Sequence, residues 1–324
     1  VAELLLPPDL LPDAVRPLSN GRTVRMGGST MGTDWSLSAV IEPQTGERHV
    51  RSILEGVFAR VIAQMSQWDP DSELSRFNGA EPGTRHAVSP QFRIVLDCAL
   101  QIAEASEGAF DPTLGHLSEA WGFGVAPAPA AVPAAASSAN AGWRRIEWDH
   151  GDAVLIQPGG LQLDLSGIAK GFAVDMGVAA LERIGIGHAL LEIGGELRGI
   201  GVQADGLPWW VDVEAPPGLE TASARIGLCG WSVATSGNFH RRREAEGRSW
   251  SHTLDPRTGV PLGDTVLSAT VLHPGCMQAD ALATAIMVLG PERGMGFASR
   301  HGIPARLAMQ SGTTTSPAWQ RWLN

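Results

Sequence analysis

The stretch from Leu161 to Asp175 places the tightest limits on how this chain can fold. Leu161, Leu163 and Leu165 alternate with Gln162 and Asp164, the period of two that predicts a strand with one buried face. Ser166-Gly167 breaks that period. An apolar, alanine-rich run from Ile168 to about Ile184 follows, stopped by Gly185, and reads as a buried helix. A strand that turns through small residues into a helix aims free backbone N–H groups at one point, and the helix dipole adds positive potential there. Such a point suits an anion such as phosphate. Lys170, one turn in, could bring a formal charge to it, and Asp164 is the acid just before the turn. Taken alone, the segment fits an ordinary strand–helix junction with a surface lysine equally well.

Charge narrows the choice. The 324 residues carry a formal charge of −10, which excludes nucleic acid and anionic membrane surfaces as main partners. A polyanionic ligand would need a local positive device. With 44% hydrophobic and 18% charged residues the chain can bury a sizeable core. Cys98, Cys229 and Cys276 are too few and scattered for a disulfide framework or a metal cluster. No apolar run approaches the ~20 residues of a bilayer span. The sequence opens at Val1 with no signal pattern, and the missing initiator Met fits a trimmed start, which leaves export open.

Residues 1 to about 20 contain Pro7, Pro8, Pro12 and Pro17 and read as an extended arm; residues 21–324 read as one unit. Thr23 to Ile41 reads as a hairpin, with small residues around Met31-Gly32-Thr33 that would let a ligand approach the backbone. Arg48 to Met65 has helical spacing. The polar loop Ser66 to Asn78 holds Trp68, which can stack on a planar ligand or pack against the domain edge. It also suggests a short helix capped by Asp71 or Ser72. Ser89-Pro90 opens another helix. Residues 125–141 are Ala/Pro/Ser low complexity and read as a flexible insertion. Strands are expected from Ala189 to Ile193, Leu197 to Val202, Trp209 to Glu214, Ala224 to Leu228, Ser232 to Asn238, Ser251 to Leu254 and Val266 to Leu272. Many consecutive strands with several long helices predict an α+β fold rather than a doubly wound parallel sheet.

The last long helix, Met277 to Leu289, is expected to end at Gly290-Pro291. Asp280 and Thr284 are four apart and share one face of this apolar helix. A buried carboxylate needs a partner. Magnesium would meet that need with oxygen ligands and leave positions for phosphate, and a lysine, an arginine or backbone N–H groups would meet it too.

Set in order, these pieces resemble the ApbE flavin transferases, which move FMN from FAD onto a protein threonine. The matching pieces are Met31-Gly32-Thr33, Ser72 to Asn78, Gly108 to Thr113, Trp121 to Gly124, Leu163 to Asp175, Gly194 to Leu197, Thr235-Ser236-Gly237, His252 to Gly259 and Ala279 to Ala285. The resemblance implies a T-fold-like core with mixed, largely antiparallel sheets, packed helices and FAD in a cleft. It implies FAD contacts at Met31, Trp68, Ala109, Phe110, Asp111, Asp164, Lys170 and Leu254. Magnesium ligands are implied at Asp280 and Thr284, with backbone oxygens near Gly167 and Ala283. Trp68 departs from a common tyrosine, Ser166 from a common glycine and Glu196 from a frequent aspartate.

By this resemblance a threonine hydroxyl of an acceptor protein attacks the FMN-side phosphorus of FAD, and AMP leaves. Lys170 and magnesium neutralise the diphosphate. His252, beside the Asp255-Pro256 turn, is the candidate base. Two alternatives stand beside transfer: a FAD pyrophosphatase, and a non-catalytic FAD-binding assembly protein. The periplasm is the expected compartment, with the cytoplasm the alternative.

Overall fold

The structure is a computed structural model, and it describes residues 3–10, 16–133, 141–219 and 223–323. Part of the low-complexity insertion, residues 134–140, lies outside the described residues.

The chain begins with a short strand, β1 (Glu3–Leu5), within the stretch read as an extended arm. A hairpin follows, β2 (Arg22–Thr30) and β3 (Thr33–Ile41). Its two-residue turn holds Met31 at φ 50° and Gly32 at φ 73°. Positive φ at both positions gives the turn whose twist matches the flanking strands. Next come α1 (Glu47–Met65) and α2 (Glu73–Asn78). Ser72, not Asp71, caps α2, accepting from Ser75 N–H at 2.9 Å. After β4 (Arg85–Ala87), Ser89 caps α3 (Pro90–Ala105), and α4 (Gly115–Ala120) follows. Then come β5 (Glu147–Asp149), β6 (Val154–Ile156) and α5 (Ala169–Arg183). Five strands follow: β7 (Ala189–Ile193), β8 (Glu196–Ile200), β9 (Trp209–Val213), β10 (Ala224–Leu228) and β11 (Trp231–Gly237). Two small hairpins are β12 (Arg242–Ala245) with β13 (Arg248–Ser251), and β14 (Leu254–Asp255) with β15 (Val260–Pro261). The chain closes with β16 (Val266–His273), α6 (Cys276–Arg300), β17 (Ala305–Met309), β18 (Gly312–Thr315) and α7 (Pro317–Gln320).

One eight-stranded antiparallel sheet, in the order β18-β17-β16-β11-β8-β7-β3-β2, forms the middle layer. Alternation along its strands divides two cores. Leu37 and Ala39 of β3, Ala234 of β11 and Val271 of β16 face the helices. Val40, Val233 and Leu272 face the other way, against Leu5, Ile226, Leu228, Trp319 and Trp322. On the helical side α5 lies on β7 and β8, α6 on β11 and β16, and α1 against α5. The small sheet β1-β10-β9 belongs to the second core. In that sheet β1 pairs in parallel with β10, and Leu5 is fully buried. The class is α+β with mixed, largely antiparallel sheets.

Two expectations need correction and a third is refined. The strand expected at Leu161 to Leu165 has no ladder. The segment is extended and its leucines are buried, but on one edge it makes only a single parallel bridge, of Gln162 with Leu114, and an Asp164 N–H bond to the Pro112 carbonyl at 2.8 Å, while on the other edge side chains take the place of a strand. Gln157 bonds both the N–H and the C=O of Leu161, and Asn78 does the same for Leu163. The strand expected at Ser251 to Leu254 is broken at His252-Thr253, between β13 and β14. The helix expected to end at Gly290-Pro291 does end there: Gly290 takes φ 76°, ψ −175°, outside the helical region, and a second helical run, opened by Pro291, follows at once to Arg300 within the span labelled α6.

Candidate functional site

The junction that opens α5 forms the floor of a cavity of about 760 Å³, within the ~300–1,000 Å³ range of small-molecule pockets. Two glycines let that floor close. A Cβ on Gly171 would come within 2.3 Å of the Cys276 carbonyl oxygen, so only glycine allows α5 and α6 to approach this closely. Gly167 lies against Phe110 and Thr284, where a Cβ would meet ring carbon at 3.3 Å.

On this floor Gly171 N–H donates to Asp280 Oδ2 at 3.0 Å. One turn on, Thr284 Oγ1 lies 2.9 Å from Ser236 Oγ of β11. The Lys170 ammonium is not free: it pairs with Glu196 at the start of β8. Glu196 and Asp280 are 2% and 4% exposed. Two carboxylates and one ammonium therefore share a buried floor. Burial pushes the Glu196 carboxyl up to about 8, with Asp280 adding to the shift and Lys170 opposing it. Burial also raises Asp280, against Lys170 and the Gly171 N–H. Burial alone would lower the Lys170 ammonium, but the charges of Glu196 and Asp280 override it, and the net shift is upward.

The walls are held by other carboxylates. Asp111 Oδ1 accepts from Thr113 N–H at 2.9 Å and Thr113 Oγ1 at 2.6 Å, and Oδ2 from Trp143 N–H at 3.2 Å. Burial still raises its pKa. Asp164 accepts from Ser166 N–H at 2.9 Å and Ser118 Oγ at 2.6 Å. Ala109 and Phe110 are buried wall residues, and Leu254 closes the side below the β14–β15 hairpin. Trp121 and Trp250, edge to face, pack with Leu117 and Leu254 beneath it.

His252 faces the cavity at the break between β13 and β14. Its Nδ1 lies 3.3 Å from the Arg241 carbonyl oxygen, so Nδ1–H donates there and Nε2 is left as the acceptor. Its pKa is lowered to about 4, chiefly by burial, with Arg241 and Lys170 adding and Asp164 opposing. At neutral pH the imidazole is uncharged.

The fold thus brings Ala109, Phe110, Asp111, Asp164, Gly167, Lys170, His252, Leu254, Asp280 and Thr284 to one cavity. Met31 and Trp68 do not line it. Met31 sits half-buried at the hairpin tip against the main core, while its neighbours Thr33 and Asp34 reach the cavity. Trp68 is 58% exposed in the loop before α2. Ala283 is fully buried behind Thr284 and does not line the cavity. Sequence reasoning gave no role to Glu196, Ser236 or Arg241. The first two sat inside quoted motifs, and their pairing with Lys170 and Thr284 crosses strands far apart in sequence. Arg241 is exposed, lines the cavity, and has no partner for its guanidinium among the described residues. Nor, among those residues, do three His, Cys, Asp or Glu side chains cluster as a metal site.

The ApbE family model matches residues 31–307. A Vibrio cholerae protein named FAD:protein FMN transferase is 36% identical over 89% of this chain and 88% of its own length. A Haemophilus influenzae protein of the same name is 33% identical over 90% and 87%. Among solved structures, the flavin transferase ApbE from Vibrio cholerae superposes with a TM-score of 0.85 at 34% identity, covering 94% of this chain and 100% of that one. The apo form of the Pseudomonas stutzeri flavinyl transferase ApbE gives 0.85 at 33% identity, covering 95% and 99%. With the family's length matched almost end to end and its cavity motifs gathered in one place, this chain belongs to the ApbE family.

Proposed function

We propose that this protein transfers FMN from FAD to a threonine hydroxyl of an acceptor protein and releases AMP. The observation that carries the reading is the floor of the cavity, where two buried carboxylates face one ammonium beside the unmatched Arg241 and the uncharged His252. The relatives' name supports the reaction, and the cavity chemistry supports where it takes place.

The floor residues fit a magnesium ion. Asp280 Oδ1 has no hydrogen bond among the described residues, and Thr284 Oγ1 stands one turn away. Both are hard oxygen donors, and a dication would hold buried Asp280 in its carboxylate form. Asp280 and Thr284 would hold the ion, which would supply charge neutralisation at the diphosphate when bound. Lys170 and Arg241 bring further positive charge to phosphate oxygens. His252 Nε2 takes the proton of the threonine hydroxyl as its oxygen bonds to the FMN-side phosphorus. The bond from that phosphorus to the bridging oxygen breaks, and AMP departs with that oxygen. The Nδ1–H···O=C bond to Arg241 fixes the tautomer that this step requires. Catalysis of this kind rests on position and charge.

No described helix is long and apolar enough to cross a membrane, and we propose the periplasm as the compartment. Incubation with FAD, magnesium and a candidate acceptor, followed by intact mass of the acceptor, tests the function. Addition of one FMN with matching AMP release is expected. AMP released at full rate with an unmodified acceptor would make the protein a FAD pyrophosphatase instead.

A further inference from the structure

Among the described residues, β9 is bonded on one side only. It is the last strand of the β1-β10-β9 sheet and pairs with β10 alone among the described residues. A strand carries backbone donors and acceptors on both edges, and each needs a partner or water. Along Trp209–Val213 the inner edge is bonded to β10, while no described backbone or side-chain group bonds the outer one. Natural sheets blunt such edges with proline, lysine, a bulge or a covering loop. β9 has no proline or lysine, and its register with β10 runs without a shift. Its one charge, Asp212, is matched within the sheet by Arg225 at 2.6 and 2.9 Å. Pro208 and Pro216-Pro217 stand just outside the strand and bound the open edge at both ends. Val211, Asp212, Val213 and Glu214 line the same cavity as Lys170, Arg241 and His252.

We propose that the free edge of β9 is the docking strand for the acceptor: an extended segment carrying the target threonine pairs with β9 main chain to main chain and so delivers its hydroxyl to the cavity. The proposal rests on the transfer reading above. Its occupant follows from chemistry. The edge repeats donors and acceptors at the spacing of an extended polypeptide, and transfer to a protein requires a polypeptide to reach this cavity. Side chains of a paired strand alternate between two faces. The threonine must therefore fall on the parity that faces the phosphorus, and a shift of one residue turns it away. Main-chain pairing also tolerates varied flanking side chains, so a short segment suffices for recognition.

The test uses the wild-type protein, FAD, magnesium and a library of synthetic peptides about a dozen residues long, each with one central threonine. Peptide mass reads FMN addition, and AMP is measured in parallel. A labelled peptide is then remade with single backbone N-methyl groups at successive positions around the threonine. The expected result is alternation: labelling falls on the order of 10-fold at every second position, where an N–H faces β9, and little between. A flat profile would overturn the proposal. So would a library left unlabelled by a protein that does transfer FMN to an intact acceptor, because the chemistry would then be sound and an extended segment insufficient. AMP released at full rate with neither peptide nor intact acceptor labelled would overturn the transfer reading, and the docking proposal would fall with it.

Discussion

The seam between α5 and α6 holds two aspartates with opposite fates. Asp175 of α5 reaches the start of α6, where Gly275 supplies no side-chain cap. Its Oδ1 accepts from Cys276 N–H at 3.0 Å and from Arg198, and its Oδ2 from Met277 N–H at 2.9 Å. Asp280 of α6 reaches back to α5 in the same manner, but receives a single N–H, from Gly171. It is also more deeply buried and shares its surroundings with Glu196. The two residues have the same chemistry and lie on the same pair of helices. What separates them is the supply of donors. A carboxylate with three donors is structural. One with a single donor, in a dry place beside a second carboxylate, leaves an oxygen for a ligand.

The sharpest way to break this contrast is Asp280→Ala. Transfer should fall below detection with the fold retained, whereas Asp175→Ala should keep the chemistry. Wild-type transfer by the Asp280 variant at limiting magnesium would remove the metal assignment.

His252→Asn should lower the transfer rate by ~10²–10⁴-fold, the usual reach of a general base, with little change in FAD affinity. The pH profile sharpens the point. With a pKa near 4 in the free protein, the imidazole is in its base form at neutral pH, and kcat/KM should fall only as pH drops through about 4. A bound diphosphate offsets the positive charges of Lys170 and Arg241, so the limb in kcat should lie above that value. The Asn variant should lose both limbs. A limb that survives in it would assign the proton transfer to another group.

Asp175→Ala should lower stability by about 1–2 kcal/mol, the loss of an N-terminal cap, which thermal unfolding reads directly. An unchanged melting temperature would mean that its N–H bonds are replaced by water without loss.

The smallest effect is expected at Trp68. With the ring 58% exposed, Trp68→Ala should leave stability within about 0.5 kcal/mol. FAD titration then decides its place. A drop in affinity of ~1–3 kcal/mol, by analogy with base–aromatic stacking, would put the ring on the ligand. Unchanged affinity would leave it a loop residue.

Local features were legible where local physics governs. The Met31-Gly32 turn, the serine caps at Ser72 and Ser89, and the one-turn spacing of Asp280 and Thr284 each follow from a few neighbouring residues. The strand at Leu161 to Leu165 was misread because alternation reports burial on one face, not the presence of a ladder. Asn78 and Gln157 satisfy the backbone of Leu161 and Leu163, and no pattern announces that. The break at Gly290-Pro291 was legible because glycine and proline interrupt a local hydrogen-bond pattern; that a second helical run follows at once was not.

By itself the sequence determined the α+β class, the junction at the head of α5, the pairing of Asp280 with Thr284 on one helical face, and the family. Those properties depend on spacing within single elements and on the order of motifs. Tertiary structure alone decided that Lys170 is tied to Glu196 and that, among the described residues, Asp280 has one donor where Asp175 has three, Arg241 is unmatched, and the bare edge of β9 borders the same cavity. Each of these is a balance of charge or of hydrogen bonds between groups far apart along the chain. Such balances exist only once folding has set which groups meet and how much water is left between them.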